Sequence, residues 1–125
     1  MIKLKSLLKE KEDSWLYRHG FDLTDFKPGG FQKVLTGLGL SVSPGKLMGT
    51  GDDAWVWSGP NIRIITANDP ITGKHCHYGN RENEKNYASY MGLEGSAEKV
   101  ALAVKLIKQN ADEIKGESPG EREYI

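Results

Sequence analysis

His75-Cys76-His77 is the stretch of this 125-residue chain with the most chemistry in it. On an extended backbone alternate side chains share a face, so His75 and His77 point the same way and two imidazoles could hold one divalent metal ion. Two ligands do not fill a zinc shell, which takes three or four protein donors. The other candidates are His19 and the carboxylates Asp52, Asp53 and Asp69, and none stands at a diagnostic spacing. There is no Cys-x-x-Cys pair and no His-Glu-x-x-His motif. Cys76 faces away from both histidines in an extended segment and reads as an inert thiol rather than a nucleophile.

Asp52 and Asp53 adjoin Gly49 and Gly51 just before a tryptophan-bearing run, and paired acids beside a glycine-rich loop can bind a cation or exchange protons. The expected ligand-binding residues are therefore His75, His77, Asp52 and Asp53, with His75 and His77 as the metal-binding pair. No other cofactor is suggested. Gly49-x-Gly51 lacks the third glycine of a dinucleotide fingerprint, and Gly45-Lys46 and Gly73-Lys74 lack the remainder of a phosphate loop. Trp55, Trp57, Tyr78, Tyr87 and Tyr90 with Arg63, Lys74, Arg81 and Lys85 spell a stacking platform for single-stranded nucleic acid. Glu82 and Glu84 interrupt it, and strand tryptophans ordinarily bury their area in a core.

The elements that must position these residues read as a small α+β fold. Leu4, Leu7, Leu8 and Trp15 recur at helical spacing and predict a short N-terminal helix. Glycines and prolines break residues 20–51 into short pieces, with a helix over Phe31, Val34 and Leu35 ending near Gly37 and passing into a strand toward Val42. Ala54-Trp-Val-Trp-Ser58 and Asn61-Ile-Arg-Ile-Ile-Thr-Ala67, joined by turn residues, predict a hairpin, and Asn68 to Gly73 a reversal. Further strands are expected near Lys74–Tyr78 and Tyr87–Leu93. Ser96 as N-cap and Gly116 beyond the end bound a long C-terminal helix with the apolar stripe Val100, Ala103, Val104, Ile107, Ala111 and Ile114. The expectation is one domain over 1–125: an antiparallel sheet of three or four strands covered by that helix, with 116–125 as a mobile tail.

Composition narrows the function classes. A hydrophobic share of 38% with 27% charged residues is that of a folding chain. Seventeen basic residues balance seventeen acidic ones, so no global field draws the protein to nucleic acid or an anionic membrane. No long apolar run and a single cysteine lead to the expectation of a cytoplasmic protein with no membrane association. No catalytic set is complete, so a non-enzymatic binding or assembly module is expected, with a protein partner or self-association. The alternatives are a small metal-dependent enzyme or hydrolase centred on His75 and His77, and a nucleic-acid-binding accessory protein.

Overall fold

A computed structural model describes residues 15–48, 54–75, 79–80 and 85–124. Strands β1 (Trp15–Phe26), β2 (Lys46–Met48), β3 (Ala54–Gly59), β4 (Ile62–Thr66), β7 (Tyr87–Ala88), β8 (Met91–Gly95) and β9 (Ala111–Tyr124) form one antiparallel seven-stranded sheet. β5 (Lys74–His75) and β6 (Gly79–Asn80) pair separately. The helices are α1 (Gly30–Gly37) and α2 (Ala97–Asn110). This corrects the expectation of three or four strands beneath a long C-terminal helix: most of the fold is sheet, and both helices are short. Among the described residues no helix is long and apolar enough to cross a membrane.

β1 organises the sheet because it is paired on both edges. One edge carries β8, with Tyr17 opposite Gly95 through Phe21 opposite Met91, and then β7, with Thr24 opposite Ala88. Both pairings keep one register, so β7 and β8 are a single strand line interrupted at Ser89 and Tyr90. The buried carboxamide of Asn68 fills the interruption, its Nδ2 donating to the Tyr87 carbonyl at 2.6 Å and its Oδ1 accepting from the Ser89 backbone at 2.9 Å. The other edge of β1 takes β9 from Trp15 opposite Tyr124 to Phe26 opposite Ala111. Between Arg18 and Gly20 the partner steps from Glu121 to Ser118, a bulge that takes up Pro119, which has no N–H for the ladder. Residues expected to trail as a mobile tail are thus hydrogen-bonded into the sheet.

From Tyr17 to Asp22 alternation along β1 sets the faces: Phe21 is 1% exposed beneath the helices, whereas Arg18 and Asp22 are exposed on the other side. Beyond Asp22 the alternation breaks, and Thr24 and Phe26 are both buried. Ile64, Leu93 and Trp57 share the helix side with Phe31, Val34, Leu35, Val100, Ala103 and Ile107. Each large side chain buried there contributes about 1.5–3 kcal/mol. α2 starts where Ser96 accepts a hydrogen bond from Lys99 N at 3.3 Å. It stops at Asn110 because Ala111 turns extended, with Lys27 N donating to the Asn110 carbonyl at 2.9 Å. The predicted hairpin is present as β3 and β4 with Gly59 opposite Ile62, Asn61 taking the left-handed conformation at φ 63°. α1 ends at Gly37 as its spacing indicates, but residues 38–42 form no strand. The expected N-terminal helix lies outside the described residues, and Trp15, read as part of its stripe, belongs to β1.

Candidate functional site

With both helices on one side, the opposite side of the sheet is open over β1 and β8 among the described residues, whereas Val56 at its β3 end is buried. Register builds that surface in rows across the strands. Ser58, Arg63, Glu94 and Arg18 form one row, and Val56, Ile65, Gly92, Gly20 and Ser118 form the next. A depression of about 330 Å³ opens over the second row, lined among others by Ile65, Tyr90, Gly92, Gly20 and Ser118, with Arg18 and Glu94 at its rim.

The charged row is a shared cluster. The Arg63 guanidinium donates to Glu94 Oε2, and Arg18 Nε stands 3.9 Å from Glu94 Oε1. Both guanidinium groups are about half exposed, while Glu94 is largely covered at 19%. Two cations on one carboxylate leave a local positive excess, offset further along the face by exposed Asp22. Tyr90 is 62% exposed at the other rim. Aromatic, apolar and mixed-sign polar groups around a flat floor make this a surface for protein-like chemistry.

The floor is made of glycine where the backbone does not require it. Gly20 lies opposite Gly92, and neither has positive φ. A Cβ on Gly92 would meet nothing within 4 Å, and one on Gly20 would meet only ordinary contacts at 3.8 Å. Comparison with protein-family models, curated proteins and solved structures gives no match for this chain.

Of the ligand candidates read from sequence, His19 is among the residues lining the depression, whereas His75 and Asp69 are not. His75 is half-buried in β5, opposite Gly79 and bridged to Asn68. His77, Cys76, Asp52 and Asp53 lie outside the described residues. Among the described residues no three His, Cys, Asp or Glu side chains are grouped as metal ligands. Asp69 is fully buried, with Oδ1 accepting from Ile71 N at 2.8 Å, which fixes the turn expected after Asn68. His19 stands with its Nε2 3.6 Å from Glu117 Oε2. Lys108 Nζ lies 2.9 Å from Glu117 Oε1, and this ammonium, by hydrogen bond and charge, holds the Glu117 carboxyl below its ordinary value. Burial opposes the shift and His19 adds to it.

Of the residues read as a stacking platform, Tyr78 and Arg81 lie outside the described residues, and the two strand tryptophans pack toward the core, where strand tryptophans ordinarily bury their area. Trp57 is 4% exposed, edge-on to Phe31 at 4.8 Å, with its indole N–H donating to the Ser43 carbonyl at 2.9 Å. Trp55 packs against the core, and Arg63 is engaged by Glu94. Sequence reasoning missed Gly20, Gly92, Arg18 and Glu94. The alternation of Tyr17, His19 and Phe21 with Arg18, Gly20 and Asp22 was the available signal.

Proposed function

We propose that this protein is a non-enzymatic binding module that works through the exposed face of its sheet. The observation that carries the reading is Gly20 opposite Gly92. Glycine inside a strand costs roughly 0.5–1 kcal/mol relative to alanine, and here neither φ nor crowding calls for it. What the two glycines provide is an open floor between Ile65, Tyr90 and the Arg18–Glu94–Arg63 cluster. Nearly balanced charges on this face favour a protein partner over a polyanion.

A peptide library displayed on phage, panned against the wild type with Gly92→Lys as counter-target, tests the reading. A Cβ at this position meets no atom within 4 Å, so the lysine is introduced without a clash at its root. Peptides that bind the wild type and are lost on the folded variant are the expected result. A binder set that takes both proteins equally, or no binders for a wild type that is monomeric, refutes the assignment of this face.

A further inference from the structure

We infer that the partner on this face is a second copy of the same chain, the two sheets stacked about a two-fold axis that runs along the strands between β1 and β8. The inference rests on the preceding reading of the face and names its occupant. Arg18 and Glu94 are direct register partners on these two strands and carry opposite charge. An axis in this direction exchanges the two strand lines, so Arg18 of each copy faces Glu94 of the other. Moving the axis onto β8 would exchange β1 with β4 and set Arg18 against Arg63, a like-charge contact that selects the first arrangement.

The rest of the face follows the same operation. The register that pairs Phe21 with Met91 and Thr24 with Ala88 sets Asp22 beside Tyr90. Across the axis the Tyr90 hydroxyl of one copy meets the Asp22 carboxylate of the other, a charge-assisted hydrogen bond. Between these rows the two glycine floors meet, leaving room for the Tyr90 rings, which are 62% exposed in the single chain. Arg18 keeps its place beside Glu94 of its own chain with about half of its side chain exposed on the face.

Sedimentation velocity with reciprocal charge variants tests the arrangement. The wild type is expected to sediment as a dimer at micromolar concentration. Arg18→Glu and Glu94→Arg each place like charges across the axis and are expected as monomers. An equimolar mixture of the two is expected to recover the dimer mass, because only the heterodimer pairs Glu with Arg at both contacts, and neither chain regains the pair within itself. Gly92→Lys, with a wild-type circular dichroism spectrum, is expected to be monomeric, which covers the case in which a charge variant fails to fold. A monomeric wild type at high micromolar concentration, a mixture that stays monomeric, or a dimeric Gly92→Lys overturns the inference. A monomeric wild type that still selects Gly92-dependent peptides removes the second copy and leaves the binding face standing; a monomer that selects none removes both.

Discussion

Asn68 and Tyr87 are joined by a 2.6 Å hydrogen bond from a fully buried side-chain amide to a backbone carbonyl, at the point where a strand line of the sheet is interrupted. The same side chain accepts from Ser89 N. Asn68→Ala leaves both backbone groups without this partner, and an unsatisfied buried group costs about 1–3 kcal/mol. Urea denaturation should show a loss of about 2–4 kcal/mol. Asn68→Asp should lose at least as much at neutral pH, since it removes the donor and buries a charge. Wild-type stability in both variants would mean that the carboxamide does not hold the interruption together.

Lys108 and Glu117 tie α2 to β9, and the ammonium lowers the Glu117 pKa from its ordinary 4.5. A carboxylate with a depressed folded value stabilises fully above its unfolded pKa, and the contribution disappears as the pH falls through the folded one. Glu117→Gln should therefore melt lower than the wild type at neutral pH by an amount worth less than about 1 kcal/mol, because the pair is partly solvated. The two melting curves should converge below pH 4.5 and draw together at high salt. A gap independent of pH would show that the ion pair is not its source.

A chain ending at Asn110 removes β9 and strips one edge of β1 from Trp15 to Phe26. Thermal melts followed by circular dichroism should show no cooperative transition, or one far below that of the full chain. A truncated protein that melts like the full chain would sink this role for β9.

Gly30 sits where a Cβ would lie 2.5 Å from the Asn110 carbonyl oxygen, backbone against backbone at the junction of the two helices. Gly30→Ala must push them apart, and overpacking of this kind costs typically about 1–3 kcal/mol. The neighbouring Gly29→Ala meets no atom within 4 Å, but its φ of 71° strains alanine, and it should cost about 1 kcal/mol. Chemical denaturation of the two variants measures the contrast, and equal effects would argue against a tight helix junction.

What the sequence disclosed and what it hid divide along physical lines. The hairpin of Trp57 and Ile64 was legible because β-rich runs flank local turn chemistry, and the start of α2 because Ser96 caps it. The end of α2 was not. Ile114 lies seven residues beyond Ile107, so a helical stripe continues through Asn110 although the backbone turns extended there. β9 is rich in charge, with Glu113, Lys115 and Glu117, and what orders it is a ladder of backbone bonds to β1, which leaves no mark on side-chain type. Gly20 and Gly92 read singly as breakers, and only the register sets them opposite each other. Trp57 is buried as its strand position indicates, but its ring contact is Phe31 of α1.

The pairing of Thr24 with Ile114 joins residues ninety positions apart. During synthesis, β1 emerges from the ribosome long before the strand that covers its second edge has been translated. Chain elongation at roughly 5–20 residues per second leaves that edge, with its row of N–H and C=O groups, exposed to other nascent chains for several seconds. Completion of the sheet is therefore late relative to the emergence of β1, and expression at high ribosome density is where this chain is most exposed to aggregation.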